Sequence, residues 1–536
     1  LGIQPSEKPL EKITSATRLY KLISRTDNPF ANEVISLKLL LSLLEEKNFR
    51  QFKQTKIENP FFDLDKTTVE FSGYSIPPKF RHFENEIDSD AKFHSGIGRT
   101  AKHLEIEDNE VKYLQRVALC VRSALSGAAD PTGFGISHQP RTGYRGLKST
   151  QYKRQLGMMT TPESLAGEGA QCSVWLTTLL AKLLRWPGIH VNDQGFEWPI
   201  ELTIENVKKL ANERLSYLKQ NYCQLSGTLG LPELIQPDWS KDKKSLTVAM
   251  VQSKMPFQHD FDTYGWTLDD PGYRTRHRRH VARVAQLVLK HIEAQHLDKP
   301  KEGKREQDID LIIWPELAVH QDDIDILKQL SQKTHAIIFA GLGFLKQPNG
   351  KDLRNCALWI VPKKHNGNQN EILRFQGKYN MTEGEKGKVQ PWRPYQLMLE
   401  LKHPKFPLEK GFVLTGAICY DSTDINLSAD LRDKSNAFLI PALNKDISTF
   451  DTMVDALHYH MHQPVVLVNT GEFGSSYAKA PYKEAHKRLI AHSSGNNQVS
   501  INTFEMNMFD FRRDGVGKSM RSDDDAKTPP AGVEYA

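Results

Sequence analysis

The sequence predicts an α/β domain in the C-terminal half of the chain, preceded by a mainly helical domain. After a polar, proline-containing stretch at 236–244, short apolar or β-branched runs alternate with segments of helical periodicity, as strands and helices do in an α/β domain. Upstream, apolar residues at 32–52 recur at helical spacing, and 109–125, 171–184 and 203–222 also favour helix. The 536 residues exceed the size at which one core stops growing, so we expect at least two domains.

These patterns divide the chain into three parts. Residues 1–240 form the mainly helical domain, and residues 241–511 form the α/β domain. Residues 512–536 are rich in Asp, Lys, Gly, Ser and Pro, so we expect a flexible tail or a docking arm.

The α/β domain is predicted from its order of elements. Predicted strands lie at 246–251, 310–314, 336–341, 356–361, 413–419, 437–441, 465–469 and 497–504. Predicted helices lie at 278–294, 323–334 and 449–461.

Composition limits the function classes. An apolar fraction of 39% with 25% charged residues is typical of a globular protein, and no apolar run approaches the ~20 residues that span a bilayer. We therefore expect no membrane segment. Five scattered cysteines without a CxxC pair indicate a reducing compartment, so we expect a cytoplasmic protein. The net charge of +6 permits an anionic partner without requiring one.

Three predicted strands deliver residues that could carry chemistry. The strand at 310–314 leads through a proline to Glu316, a candidate general base. The strand at 413–418 leads to Cys419, a candidate nucleophile. Between them, a short extended run ends at Lys378, whose ammonium could stabilise a thiolate or an oxyanion. Taken singly, such a glutamate is usually a solvated loop acid and such a cysteine an inert core residue.

The order of these motifs resembles the nitrilase (carbon-nitrogen hydrolase) superfamily. The resemblance rests on Val248-Ala-Met-Val-Gln252, Trp314-Pro-Glu316, Lys378 and Cys419-Tyr-Asp421, and it covers roughly 246–511. It implies an α-β-β-α four-layer sandwich that hydrolyses an amide or nitrile through a cysteine thioester, without a cofactor. It also implies that Glu316, Lys378 and Cys419 form the catalytic triad, and that the domain self-associates.

The resemblance implies two further features of the site. A second glutamate often follows the lysine; Glu383 and Glu385 are both candidates, and Glu385 has the more usual offset. The backbone N–H of Tyr420 is expected to share the oxyanion with Lys378. The Pro-Phe-Gly that usually precedes the second glutamate is absent, as is the Phe-Pro-Glu after Cys-Tyr-Asp. A degenerate site therefore remains an alternative.

Two other clusters have competing interpretations. His458, His460 and His462 invite a metal site, but no further ligand is evident, so packing is the preferred interpretation. The basic run 274–280 could meet an anionic partner or form a solvated loop face.

The N-terminal half carries a second resemblance. His94-Ser-Gly-Ile-Gly-Arg-Thr100, Tyr113-Leu-Gln-Arg116 and Gly167-Glu-Gly-Ala-Gln-Cys-Ser-Val-Trp175 resemble the region after the polymerase core in bacterial defence-associated reverse transcriptases that end in a nitrilase domain. This resemblance implies a role in antiviral defence and a longer precursor that contains the polymerase. The N-terminal region could then bind nucleic acid through its Arg and Lys residues.

Two functions follow as alternatives. The first is an amidase or nitrile hydrolase that uses Glu316, Lys378, Cys419 and Glu385. The second is a non-catalytic, oligomerising scaffold that supports an upstream polymerase.

Overall fold

The structure is a computed structural model of the chain. It describes residues 29–45, 55–58, 68–71, 110, 114, 117, 118, 121, 173–183, 199, 202–295, 309–346, 353–365, 368–522 and 525–533. The chain divides into two compact units, one ending at Tyr222 and the other beginning at Cys223. This division lies upstream of the predicted boundary at 240, because the strand Thr228–Ile235, which was not predicted, pairs with the strand Tyr395–Leu401 of the C-terminal unit.

The N-terminal unit contains three described helices and a strand pair. They are α1 (Pro29–Glu45), α2 (Val174–Leu183) and α3 (Ile204–Asn221), and the antiparallel strands β1 (Thr55–Glu58) and β2 (Thr68–Phe71). Helix α3 begins with Thr203, whose side chain accepts a hydrogen bond from the backbone N–H of Asn206. A buried ion pair at 2.6 Å joins Arg214 of α3 to Glu33 of α1.

The predicted helices at 32–52, 171–184 and 203–222 overlap these three. Most of the predicted helix at 109–125 lies outside the described residues. The motif at 94–100, and most of those at 113–116 and 167–175, also lie outside them. The mainly helical character of residues 1–240 therefore stays a prediction.

The C-terminal unit is a mixed α/β structure with two large sheets. Its strands are β3 (Tyr222–Cys223), β4 (Thr228–Ile235), β5 (Ser245–Gln252), β6 (Leu311–Val319), β7 (Ile337–Leu342), β8 (Leu345–Lys346), β9 (Leu353–Arg354), β10 (Cys356–His365), β11 (Asn368–Gly377), β12 (Tyr395–Leu401), β13 (Phe412–Gly416), β14 (Ala437–Pro441), β15 (Val465–Val468), β16 (Ser476–Lys479), β17 (Leu489–Ser493) and β18 (Ser500–Asn507). Its helices are α4 (Gln258–Tyr264), α5 (Pro271–Gln295), α6 (Ile324–Thr334), α7 (Ile425–Arg432), α8 (Ile447–His460) and α9 (Ala485–Arg488).

One sheet has six strands in the order β11-β10-β7-β6-β5-β18, and the other has eight in the order β17-β16-β15-β14-β13-β12-β4-β3. Strands β5, β6 and β7 are parallel neighbours in the first sheet, and β13, β14 and β15 are parallel neighbours in the second. Parallel strands are normally buried on both faces, and β6, β7, β13, β14 and β15 contain only buried residues.

Each face of the six-stranded sheet packs against a different layer. On the outer face of the six-stranded sheet, α5 and α6 contribute residues such as Val284 and Leu327 to a core with Ile312 of β6. Its inner face meets the second sheet, where β14 contacts β6 and β7. Helix α8 packs on β15 and β16. Helices therefore flank two facing sheets, which agrees with the predicted α-β-β-α layer order.

The C-terminal segment differs from the prediction of a flexible tail at 512–536. In its described residues, Met520 and Val533 are buried, and the backbone N–H of Lys527 donates a hydrogen bond of 2.7 Å to Pro481 O. In residues 512–522 and 525–533 these contacts correspond to the docking arm, the other alternative for this segment, and not to a flexible tail. The few apolar side chains among the polar ones suffice to fix this segment on the C-terminal unit.

Candidate active site

Glu316 lies in an irregular part of β6. The pairing of β6 with β7 loses its register between Trp314 and Val319, and Leu317 has a φ of 59°. This bulge turns the Glu316 side chain into the interior, where only 3% of the residue is exposed. The prediction placed Glu316 just beyond a strand end; in the structure the strand continues past it.

Gly341 of β7 makes room for this bulge. A Cβ atom at Gly341 would lie 2.3 Å from Glu316 Cα and 2.4 Å from Pro315 O, and both contacts are with backbone.

We therefore expect Gly341→Ala to displace Glu316 and to destabilise the fold by at least ~1–3 kcal/mol, as overpacking does. Thermal unfolding and the alkylation rate of Cys419 measure the two effects. Gly384→Ala, where a Cβ meets nothing within 4 Å, is the control. Equal behaviour of the two variants would contradict this account of the bulge.

Lys378 directly follows β11 and is 1% exposed. Its backbone N–H donates to Asn355 O at 2.9 Å, and its own carbonyl accepts from Trp392 N at 2.8 Å. The preceding Gly377 is packed so closely on Trp392 that a Cβ atom would lie 1.7 Å from Trp392 O. The backbone on either side therefore fixes the position from which the lysine side chain enters the site.

Cys419 begins a short 3-10 helix, Cys419–Thr423, that follows β13. Its φ of 45° is uncommon for a residue with a side chain, and such strain is found most often at functional sites. The residue is 4% exposed. Its Sγ lies 4.0 Å from the carbonyl oxygen of Leu443, in the loop after β14.

The charged groups form one buried network. Lys378 Nζ donates to Glu316 Oε1 at 2.9 Å and to Glu385 Oε2 at 2.7 Å. Asn355 Nδ2 donates to Glu316 Oε1 and to Glu385 Oε1, both at 2.8 Å. The other oxygen of Glu316 accepts from Leu443 N at 3.0 Å. One cation, one amide and two carboxylates are thus held together.

The network distinguishes the two candidate second glutamates. Glu385 is buried, and its Oε2 also accepts from the backbone N–H and hydroxyl of Thr382. Glu383 has a side chain that is 89% exposed, and it pairs with Lys386 at the surface. The structure therefore brings Glu385 together with Lys378, and it leaves Glu383 outside the site.

The neighbouring charges and hydrogen bonds keep Lys378 and Glu385 ionised. Burial alone would lower the pKa of Lys378, but Glu316, Cys419 and Glu385 outweigh burial and hold that pKa above its usual range. Burial alone would raise the pKa of Glu385, but Lys378, Asn355 and Thr382 lower it overall. Lysine and Glu385 are therefore both ionised at neutral pH.

The thiol of Cys419, in contrast, favours its neutral form. Complete burial and the neighbouring carboxylate of Glu316 raise the pKa of Cys419 well above the usual value, and the nearby Lys378 offsets this only in part. A free thiolate is consequently a minor species at neutral pH. Such a thiol can act as a nucleophile only if a base removes its proton, and Glu316 is the carboxylate beside it.

A second set of contacts ties the lysine loop to the cysteine loop. Asp421, two residues after Cys419, accepts from Tyr379 N at 2.9 Å and from Asn380 N at 2.6 Å. Arg393 lies 3.1 Å from the same carboxylate. These contacts link the backbone after Lys378 to the turn that carries the thiol, so the two groups keep a fixed relation.

Three residues of the site, Asn355, Leu443 and Arg393, were not predicted from the sequence. Asn355 immediately precedes β10, and the pairing of Cys356 with Gly377 places it across from Lys378. That register is the signal that could have found it, had the β10–β11 hairpin been predicted. The backbone N–H of Leu443 and the side chain of Arg393 carry no local sequence signal.

Residues of the histidine cluster and of the basic run 274–280 make hydrogen bonds and ion pairs within the fold. His458 Nδ1 lies 3.0 Å from Val454 O, and His462 Nε2 lies 2.9 Å from Lys527 O. In the basic run, Arg274 and Arg278 both bind the buried Asp323. Among the described residues, we find no cluster of His, Cys, Asp or Glu that could hold a metal ion. None of the described helices has the length and apolar character needed to cross a membrane.

Comparison with known proteins found likeness only among solved structures. Neither the family models nor the curated proteins gave a match. The chain is similar to Nit3 of Saccharomyces cerevisiae, a member of branch 10 of the nitrilase superfamily, with 13% identity and a TM-score of 0.35 over 50% of this chain and 92% of that one.

Two further structures have comparable values. One is XC1258 of Xanthomonas campestris, a CN-hydrolase superfamily protein, with 13% identity and a TM-score of 0.33 over 49% of this chain and 91% of that one. The other is an amidase from Nesterenkonia sp., with 12% identity and a TM-score of 0.33 over the same shares. Variants of the Nesterenkonia amidase are described with acrylamide, or the acetamide moiety of fluoroacetamide, added at the active-site cysteine.

Proposed function

We propose that the C-terminal unit is a carbon–nitrogen hydrolase that cleaves an amide or nitrile bond through a thioester on Cys419. The observation that carries the proposal is the buried network in which Lys378 Nζ lies within 2.9 Å of Glu316 and 2.7 Å of Glu385. Burial of three charges is costly unless they are paired. A site that retains them beside a buried thiol is suited to acyl transfer.

The chemistry assigns one role to each group. Glu316 takes the thiol proton while Sγ of Cys419 attacks the substrate carbonyl carbon. Lys378 has three N–H donors, and two are bound to the glutamates, so the third can donate to the developing oxyanion together with Tyr420 N–H. Glu316 then gives its proton to the leaving amine, and the acyl group stays on sulfur.

Water completes the reaction on the same residues. Glu316, again ionised, removes a proton from water as its oxygen attacks the thioester carbon. The C–S bond breaks, and the thiolate of Cys419 recovers the proton. From an amide the products are an amine or ammonia and a carboxylic acid, and no cofactor is required. A nitrile first adds the thiol as a thioimidate, and one further water then gives the same thioester with loss of ammonia.

The thioester gives a direct test. The full chain is incubated with a panel of short amides and nitriles, with and without hydroxylamine, and the protein and products are analysed by mass spectrometry. We expect an acyl adduct on Cys419 and a hydroxamate formed at the expense of the acid. Neither should form with Cys419→Ala, whereas Cys223→Ser, which alters a buried cysteine elsewhere in the same unit, should retain both. Absence of adduct and product from the unaltered chain across the panel would overturn the proposal.

The alternative is a non-catalytic scaffold that oligomerises through the same unit. The 4% exposure of Cys419 and the raised pKa of its thiol favour this alternative. Sedimentation together with thiol labelling separates the two functions. A stable oligomer in which Cys419 reacts no faster than Cys223 or Cys356 would support the scaffold.

The wider role stays a proposal that rests on the N-terminal sequence motifs. We infer that the unit accompanies an upstream reverse transcriptase in bacterial antiviral defence and that the N-terminal region contacts nucleic acid. Affinity of the chain for single-stranded RNA or DNA should then fall steeply with added salt. Absent or salt-independent binding would remove the nucleic-acid role.

A further inference from the structure

Asn355 connects the two carboxylates of the site. It lies between β9 and β10, and none of its surface is exposed. Its Nδ2 is 2.8 Å from Glu316 Oε1 and 2.8 Å from Glu385 Oε1. Its backbone carbonyl also accepts from Lys378 N. One residue therefore touches all three charged groups.

The orientation of the amide is fixed by its partners. Ionised carboxylates only accept hydrogen bonds, so the atom that faces both of them must be the NH₂ group. The other end, Oδ1, is buried with no hydrogen-bond partner among the described residues. Rotation of the amide by half a turn would place Oδ1 against two carboxylates, which is strongly unfavourable.

The hydrogen bonds of Glu316 decide which of its oxygens can act as a base. Oε1 accepts from Lys378 Nζ and Asn355 Nδ2, which occupies both of its lone pairs. Among the described residues, Oε2 accepts from Leu443 N, which leaves it one lone pair for the thiol proton. Leu443 also lies beside Cys419, since its carbonyl oxygen is 4.0 Å from Sγ, and the Glu316 side chain is hydrogen-bonded to the Cys419 thiol.

We propose that Asn355 is a positioning residue that directs Oε2 of Glu316 toward the Cys419 thiol. This inference rests on the proposed function, because it assigns Asn355 a part in activating the same nucleophile. Without the amide, Oε1 of Glu316 regains a free lone pair, and the two carboxylates lose the donor they share. The Glu316 carboxylate is then no longer held in the orientation that leaves Oε2 for the thiol proton.

Two variants separate positioning from simple packing. Asn355→Ala removes the donor, and we expect Cys419 alkylation to slow by about 10- to 100-fold at neutral pH, the loss typical of a hydrogen bond to a charged group. Asn355→Asp keeps the shape but replaces the donor with an anion. Once protonated, an aspartic acid donates again. The rate of Asn355→Asp relative to the unaltered chain should therefore recover as the pH falls, whereas the ratio for Asn355→Ala should not recover.

The control is a buried amide at a distance from the site. Gln463 is buried, and its side-chain amide is paired with Ser435, so Gln463→Ala removes a buried amide without touching the network. We expect this variant to lose stability while its rate of Cys419 alkylation is unchanged. Iodoacetamide is the probe, and the labelled site is identified by mass spectrometry at each pH.

Failure of this inference is distinguishable from failure of the proposed function. If Cys419 of the unaltered chain is labelled no faster than Cys223, the proposed function fails. If Cys419 of the unaltered chain is labelled rapidly and Asn355→Ala matches it at every pH, only the role of Asn355 is overturned. Equal slowing in both variants without recovery of Asn355→Asp in acid would also overturn the role, because packing alone explains that result.

Discussion

Replacement of Lys378 by alanine should lower amide hydrolysis by at least about 1000-fold. Loss of one oxyanion donor typically costs ~10²–10³ in turnover, and this donor also carries the positive charge of the site. Its removal leaves Glu316 and Glu385 buried without their cation. The lowered pKa of Glu385 depends on that cation, so Glu385 should bind a proton more readily in the variant.

The same variant should also be less stable. Removal of one partner from a buried ion pair costs about 3–5 kcal/mol, so circular dichroism must first show that Lys378→Ala is folded at the assay temperature. Lys386→Ala is the matched control, because Lys386 lies in the same loop with a side chain that is 63% exposed. Turnover of a folded Lys378→Ala protein at the level of Lys386→Ala would contradict the assigned role.

Replacement of Glu316 by glutamine should lower hydrolysis by about 10²- to 10⁴-fold, the usual contribution of a general base. Glutamine keeps the size and still accepts hydrogen bonds at one atom, but it cannot take the thiol proton. Because burial and Glu316 raise the pKa of Cys419, little thiolate forms unaided at neutral pH. The residual activity of the variant should therefore rise with pH into the alkaline range.

Glu383→Gln provides the comparison for this substitution. It changes a glutamate in the loop after Lys378 whose side chain is 89% exposed and outside the network. Turnover and its pH profile should match those of the unaltered chain. A Glu316→Gln protein with a normal rate and a normal profile at neutral pH would show that Glu316 is not the base.

The strands that carry the site could largely be predicted because they are buried on both faces. The apolar run 437–441 coincides with β14, and 246–251 lies within β5. Strands β4 and β12 escaped prediction for other reasons. Strand β4 contains Pro232 and Gly230, which are depleted in strands, and its partner in β12 is distant in sequence, since Leu229 pairs with Tyr395.

In the candidate site, too, some residues could be predicted from the sequence and others could not. Glu316, Lys378, Cys419 and Glu385 were predicted from motif order and resemblance, and the structure brings all four into contact range of one network. The bulge at Glu316 could not be predicted, since it depends on how closely β7 approaches at Gly341. Asn355 could not be predicted either, because a lone asparagine before a strand usually indicates a loop residue.

The most direct test of the central claim is the rate at which iodoacetamide alkylates Cys419 across pH. It compares the unaltered chain with Lys378→Ala and Glu316→Gln, and Cys223 and Cys356 serve as internal references. We expect rapid and selective labelling of Cys419 at neutral pH in the unaltered chain, and a collapse of that rate in both variants. Slow labelling of Cys419, equal to that of the reference cysteines and unchanged by either substitution, would contradict an assembled nucleophile and leave the scaffold function.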